Sequence, residues 1–238
     1  MSAETRRKVI QAADALGYRP SVLAGSLTTR RTKLVGLVAD NFRNPIFLGV
    51  FDLFSRLLQE RGLRPLLVNL SGERHPDASV RLLRQYSVDG VIVASSTLPP
   101  SFSAAFRAAG LPVVHTFGRQ SARPDIHLVG VDNVHCGALA AKTLVAHGYK
   151  RIAFLGGPLT ATSTEDRWTG FLQAAKEAGV SASRSYATAY SYDAGFQEMA
   201  RLIASGTLAD AYYCGDDVLS VGAMDALADG GLAVPADV

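Results

Sequence analysis

The chain has 238 residues, 48% of them hydrophobic, and a formal net charge of +3. This length suits one large or two medium α/β domains, and the composition excludes disordered and fibrous proteins. No apolar run approaches the roughly 18 residues that a membrane span needs, so no membrane association is predicted. The two cysteines are far apart and no apolar export signal begins the chain, which predicts a cytoplasmic protein without a disulfide framework.

Basic charge is concentrated at the start of the chain. Residues 1–33 hold seven Lys or Arg against two acidic residues, whereas the remainder holds 17 against 19. A polyanion would therefore meet the amino-terminal segment, and the body is not expected to bind nucleic acid.

The first predicted element is a helix over residues 2–16. Ser2 can cap its start, Val9 and Leu16 belong to an apolar stripe, and Gly17 suits the position after the last turn. The stripe predicts that this helix packs on a partner.

The stretch from Tyr18 to Lys33 is predicted to be a joint. Pro20 ends one helix and suits the start of another, which would span only 21–28 and would order only against a partner surface. Leu27 would present an apolar wedge, and Arg30 and Arg31 follow it directly. A wedge flanked by cations indicates the minor groove of DNA.

From Leu34 onward, short β-branched runs alternate with helical stretches. This rhythm predicts parallel sheets covered by helices on both faces. The predicted strands are 34–39, 64–69, 89–94, 112–116, 127–131, 151–155, 185–190 and 211–214. The predicted helices are 46–61, 76–86, 101–109, 134–147, 165–178, 193–205 and 217–229. The rhythm restarts near Asp132 and Asn133, so two α/β lobes are expected, with a ligand crevice between them at the carboxyl ends of the strands.

Three short motifs carry a family resemblance. They are Tyr-x-Pro at 18–20, Ala-x-x-Leu at 24–27 and Arg-Thr-x-x-Val-Gly-Leu at 31–37, and together they resemble the hinge of LacI/GalR-type bacterial transcription regulators. The resemblance covers nearly the whole chain. It implies a ligand-responsive repressor that binds operator DNA as a homodimer and senses a sugar or related metabolite in periplasmic-binding-protein-like lobes of type I.

The resemblance also divides the chain. It implies a remnant of a helix-turn-helix domain in 1–20, a hinge helix and linker in 21–33, a first lobe in 34–132 and an incomplete second lobe in 133–238. Ser2, Thr5 and Arg6 match the opening of the third helix of the family's DNA-binding domain, with Met1 in place of its valine. We therefore expect two upstream helices, including the recognition helix, to be missing from this gene model, and a further strand to follow Val238.

The DNA contacts implied by the resemblance fall in the joint. They are Tyr18, Ser21, Ala24, Leu27, Arg30 and Arg31. Gly25 stands where the family often has an arginine that contacts phosphate.

The effector contacts implied by the resemblance fall at the carboxyl ends of predicted strands. They are Asp40, Phe47, Ser163, Arg167, Tyr190 and Asp216. Arg167 lies in a Ser-x-x-x-Arg-x-x-Gly-Phe motif, and its planar fork can grip a carboxylate or two vicinal hydroxyls. Phe47 and Tyr190 would stack on the ligand, although each also suits a plain buried aromatic. Asp216 replaces the family's usual asparagine, and Phe117 stands near the place of a usual aspartate.

No motif for catalysis, a cofactor or a metal is present, since the chain lacks a nucleophile elbow, a phosphate-binding loop and a zinc-binding His-Glu-x-x-His. The main alternative is a solute-binding protein of a transport system, which shares the lobes but gains nothing from the joint. An α/β enzyme is a third alternative, and it would require a catalytic pair at the strand ends.

Overall fold

The computed structural model describes residues 1–18, 22–40, 42, 44–70, 75–98, 100–119 and 126–238. Ser21, one of the predicted DNA contacts, lies outside the described residues, as do Arg19 and Pro20. Ala24 and Leu27 lie within a helix, but their side chains are also outside the described part of the structure.

Two helices precede the first sheet, as predicted. Helix α1 spans Ala3–Ala15, and the hydroxyl of Ser2 caps it by accepting the amide N–H of Thr5 at 3.2 Å. Gly17 follows in the left-handed conformation, with φ +65°, that favours glycine at a helix end. Helix α2 spans Val22–Thr29. None of the residues of α1 is buried, so its apolar stripe has no partner among the described residues.

The first lobe is a parallel sheet sandwiched between helices. Its strands are β1 (Leu34–Ala39), β2 (Arg64–Asn69), β3 (Gly90–Ala94), β4 (Val113–Thr116) and β5 (His127–Val129). Its helices are α3 (Pro45–Glu60), α4 (Asp77–Gln85) and α5 (Pro100–Ala108). Among the described residues the strands follow the order β2-β1-β3-β4-β5, and every pair is parallel. Parallel pairing requires each chain connection to cross over, which is why helices cover the sheet.

The second lobe repeats the same plan. Its elements are α6 (Asn133–Ala146), β6 (Arg151–Gly156), α7 (Thr162–Glu177), β7 (Ser181–Tyr186), α8 (Tyr192–Ala204), β8 (Ala211–Cys214) and α9 (Asp217–Asp229). In the described part of this lobe the parallel strand order is β7-β6-β8. The predicted doubly wound α/β architecture with two sheets is therefore confirmed.

Glycines set the spacing of two helix pairs in the second lobe. A Cβ on Gly137 of α6 would overlap the backbone of Arg167, and a Cβ on Gly170 of α7 would overlap the backbone of Val134. Helices α8 and α9 approach each other in the same way at Gly195 and Gly222. The close approach of α6 and α7 fixes the position of α7, the helix that carries Arg167.

One predicted strand is wrong. The run 185–190 was expected to be a strand, but β7 spans Ser181–Tyr186, paired in register from Arg151 with Ser181 to Gly156 with Tyr186. The strand lies at the sheet edge and is mostly polar and exposed, so it lacks the apolar pattern that marks a buried strand. Tyr190 consequently lies in the loop before α8 rather than at a strand end.

The apolar residues of α3 lie on two sides of the helix. Phe47 and Phe51 are buried against the sheet. The exposed apolar residues lie on another side of the helix and include Ile46, Leu53 and Leu57. Helical geometry separates these two sets by about a third of a turn.

Among the described ranges, none of the helices combines the length and the apolar composition that crossing a bilayer requires.

Candidate functional site

A cavity of about 300 Å³ lies between the two lobes, at the carboxyl ends of the strands. Its described lining comes from both lobes and comprises Asn44, Ile46, Phe47, Ser96, Phe117, Gly130, Val131, Asn133, Ser163, Arg167, Tyr190, Gly215 and Asp216. Five of the six predicted effector contacts line it. The sixth, Asp40, does not; its carboxylate accepts the hydroxyl of Thr97, the residue after the lining residue Ser96.

Arg167 is held in place by two parts of its own lobe. Its Nε donates to the side-chain oxygen of Asn133 at 2.9 Å, and its Nη1 donates to the carbonyl of Gly215. Asn133 begins α6 and Gly215 follows β8. These bonds use two of the five N–H groups of a guanidinium, so the fork keeps donors for a ligand in the cavity.

Helix α7 starts three residues earlier than predicted, at Thr162, which places Ser163 in its first turn. The hydroxyl of Tyr190 lies 2.7 Å from that of Thr164 and 3.3 Å from that of Ser163. This hydroxyl cluster pins the Tyr190 ring against the start of α7. Gly157 leaves room for the ring, since a Cβ there would overlap it.

Asp216 serves two purposes in the site. One carboxylate oxygen accepts the amide N–H of Leu219 at 2.8 Å and so caps α9. The other accepts the amide of Asn44, from the opposite lobe, also at 2.8 Å. Burial raises the pKa of the Asp216 carboxyl, an effect that these hydrogen bonds and nearby Arg167 oppose.

The first-lobe wall of the cavity is aromatic. The rings of Phe47 and Phe117 lie 5.2 Å apart between centroids, in a tilted arrangement. Phe117 has φ +65°, a strained conformation for a residue with a side chain, and it follows β4 directly. Phe117, Asn44 and Asn133 were not among the predicted contacts. Of these, Asn44 carries a local signal as the residue before a proline that opens a helix, and Phe117 was noted only as standing near the place of the family's usual aspartate.

Two further contacts join the lobes beside the cavity. The guanidinium of Arg119 lies 3.0 Å from Glu165 and 2.7 Å from Asp166, near the start of α7. The backbone N–H of Thr162 donates to the carbonyl of Ser96 at 3.1 Å. The crevice is therefore bridged at more than one point.

The predicted DNA contacts that are described precede the cavity residues in the chain, in the amino-terminal arm, and none of them lines the cavity. Tyr18, Arg30 and Arg31 are exposed. Within the described ranges, no group of three or more His, Cys, Asp or Glu side chains is placed to hold a metal ion.

Two parallel-sheet lobes around a cavity of mixed aromatic and charged lining define a ligand receptor of the periplasmic-binding-protein type. The family model described as periplasmic binding proteins and sugar binding domain of LacI family matches residues 32–238. The chain therefore belongs to this family.

Relatives and solved structures agree with this assignment. The HTH-type transcriptional repressor PurR of Mannheimia succiniciproducens is 30% identical over 240 residues, which cover 98% of this chain and 71% of that protein. PurR of Pasteurella multocida is 29% identical and covers 100% of this chain and 72% of that protein. The structure of transcriptional regulator CelR in complex with cellobiose is similar with a TM-score of 0.77 and 29% identity, covering 100% of this chain and 73% of that one.

Proposed function

We propose that the chain is a transcription repressor whose affinity for operator DNA changes when a small molecule binds in the cavity between its lobes. The observation that carries this proposal is the joining of two features in one chain. A cavity lined by both lobes senses the ligand, and a basic helical arm leads directly into the first strand of one of those lobes. A ligand that bridges the lobes would change their relative position and hence the arm.

The alternative of a transport receptor has less support. It shares the lobes and the cavity, but it has no use for a basic arm with a short helix before β1. The matched relatives are transcriptional repressors. Because these relatives are repressors, we propose no catalytic role for the chain. We also place the protein in the cytoplasm, where a repressor meets the chromosome.

The effector is proposed to be a sugar or a related metabolite. Arg167 and Asp216 would bind polar groups of the ligand, and Phe47, Phe117 and Tyr190 would contact its apolar faces. A site with both polar and apolar contacts suits a sugar, because a sugar ring has both hydroxyl edges and C–H faces. The regulator CelR, at 29% identity, was solved with cellobiose.

We also propose a homodimer and a division of the chain. The exposed side of α3 carries Ile46, Leu53 and Leu57, an apolar stripe that a second copy could cover. The proposed units are a DNA-binding remnant in 1–20, a hinge and linker in 21–33, and lobes in 34–132 and 133–238.

A thermal-shift screen of sugars, sugar acids and nucleosides tests the proposal. A ligand that binds the folded state at 100 times its Kd raises the free energy of unfolding by about 2.7 kcal/mol. Arg167→Ala, screened in parallel, identifies hits that use the cavity, because those hits should shift the wild-type protein much more than the variant. If every hit shifted both proteins equally, the ligand site would lie elsewhere.

A further inference from the structure

The linker between α2 and β1 is fastened to the first lobe by one carboxylate. Asp89 stands just before β3, and its two side-chain oxygens accept the backbone N–H groups of Thr32 and Lys33 at 3.2 and 3.0 Å. No other described contact of the linker engages two consecutive backbone amides with one side chain. Asp89 has no part in the cavity between the lobes.

Neighbouring bonds complete the attachment on both sides of the linker. The hydroxyl of Thr32 donates to the carbonyl of Ser87 at 2.7 Å and accepts the N–H of Leu34 at 3.3 Å. On the opposite side, Arg64 at the start of β2 donates its N–H to the carbonyl of Lys33 at 2.8 Å. The linker thus lies between the amino ends of β2 and β3.

The backbone of the linker needs such an attachment. Arg30 and Lys33 have φ of 54° and 60°, in the left-handed region that residues with a side chain seldom adopt. Residues persist there when surrounding contacts hold them. The left-handed residues Arg30 and Lys33 turn the backbone between α2 and β1, and so set the direction in which α2 leaves the lobe. The carboxylate of Asp89 bonds to the second of them, Lys33.

We propose that Asp89 is a positioning residue that clamps residues 32 and 33 to the first lobe and so fixes where the DNA-binding arm leaves it. The clamp makes the arm follow the first lobe as a rigid extension. The consequence for DNA binding rests on the proposed function, whereas the clamp itself does not.

Amide hydrogen exchange measured by NMR tests the clamp at its own donors. Protection of the Thr32 and Lys33 amides should fall by about 10-fold or more in Asp89→Ala, because each amide loses a charged acceptor. In Asp89→Asn the fall should be smaller, since the new side chain keeps one acceptor oxygen. Asp52→Asn, an exposed carboxylate on α3 of the same lobe, is the matched control and should leave both amides unchanged.

A purely structural role for Asp89 would give a different pattern of amide protection. Loss of overall stability would lower the protection of amides in the middle of β1 and β3 along with those of Thr32 and Lys33. The proposal requires a local loss, with Leu37 and Ile92 unchanged. If Asp89→Ala does not fold, Asp89→Asn supplies the same comparison with a smaller expected loss of protection.

Binding to a fluorescent duplex DNA at low salt tests the consequence. We expect Asp89→Ala to bind about 3-fold to 10-fold more weakly than the wild type, with the ligand-induced thermal shift retained. Unchanged exchange at Thr32 and Lys33 would overturn the clamp. Changed exchange with unchanged DNA affinity would overturn its role in positioning the arm, whereas failure of the wild type to bind any duplex would contradict the proposed function instead.

Discussion

The side-chain amide of Asn44 donates to the carboxylate of Asp216 at 2.8 Å, and the two residues belong to opposite lobes. Each also caps a helix of its own lobe. Asn44 accepts the N–H of Ile46 at the start of α3, and Asp216 accepts the N–H of Leu219 at the start of α9. The contact between lobes is therefore made by two side chains that are already fixed, which lowers the entropy lost when the crevice closes.

Asp216→Asn should remove a dependence of stability on pH. Burial raises the pKa of the Asp216 carboxyl in the folded protein, so the folded state holds this proton more tightly than the unfolded chain. The stabilisation this provides is complete below about pH 4, the ordinary range of an aspartate, and is lost as pH rises through the raised pKa. The variant cannot titrate at this position.

Urea unfolding of both proteins from pH 4 to pH 7 measures the effect. The free energy of unfolding of the wild type minus that of Asp216→Asn should fall as pH rises and then level off. Subtraction cancels the titration of the other acidic groups. A difference that stays constant, or grows with pH, would contradict the raised pKa.

The sequence predicted some elements to the residue, and the reasons are local. β1 and β2 are apolar runs between polar turns, and α9 begins after Asp216, whose carboxylate provides a visible cap. The start of helix α7 was predicted too late because its N-cap residue is Ala161. An alanine has no capping side chain, so nothing in the sequence marks the true start at Thr162.

The candidate site was predictable only in part, because it is assembled across the lobes. The motif around Arg167 indicated the second-lobe side. Asn133 lies beside Arg167 because α6 packs against α7 within the second lobe, whereas the place of Phe117 in the cavity depends on how the two lobes face each other. Asp40 follows a strand as expected, yet a hydroxyl from the neighbouring loop engages its carboxylate.

Among substitutions of cavity residues, Arg167→Ala should weaken effector binding most. Truncation leaves ligand polar groups without a charged donor, at a cost of about 2–4 kcal/mol or a loss of about 30-fold to 1000-fold in affinity. It also leaves Asn133 and the carbonyl of Gly215 without a partner, so the free energy of unfolding should fall by about 1–3 kcal/mol.

Calorimetry with the ligand found by the screen, and urea unfolding, measure the two effects. Arg184→Ala is the matched control, because Arg184 lies over the rings of Trp168 and Tyr186 and does not line the cavity. That variant should keep wild-type ligand affinity. Equal losses in both variants would mean that the ligand responds to net charge rather than to the cavity contact.

Leu53→Glu should weaken the proposed dimer. Leu53 is 42% exposed and stands between Ile46 and Leu57 on one side of α3, so a glutamate there would bury a charge in the interface. Sedimentation equilibrium should show a dimer dissociation constant at least about 10-fold higher. Leu48→Glu changes an equally apolar exposed residue about half a turn away on the helix and should have little effect. A wild-type protein that remains monomeric at micromolar concentration would refute the interface.

Gly170→Ala tests whether the spacing of α6 and α7 sets the geometry of the site. The new methyl group would overlap the backbone of Val134, which cannot rotate away as a flexible side chain can, so the helices must separate. We expect the free energy of unfolding to fall by about 2 kcal/mol or more. Gly49→Ala in the exposed part of α3 is the control, since a Cβ there meets nothing within 4 Å. It should raise stability by about 0.5–1 kcal/mol, because alanine loses less backbone entropy than glycine.

Ligand affinity distinguishes a general packing defect from a specific one. Arg167 lies one turn before Gly170 on α7, and its Nε bonds to Asn133 at the start of α6. Separation of the two helices would break that bond and withdraw the guanidinium from its present position. Gly170→Ala should therefore bind the effector at least about 10-fold more weakly under conditions where it is still fully folded. Wild-type affinity in a folded but destabilised variant would show that Arg167 is oriented by its bond to Gly215 alone.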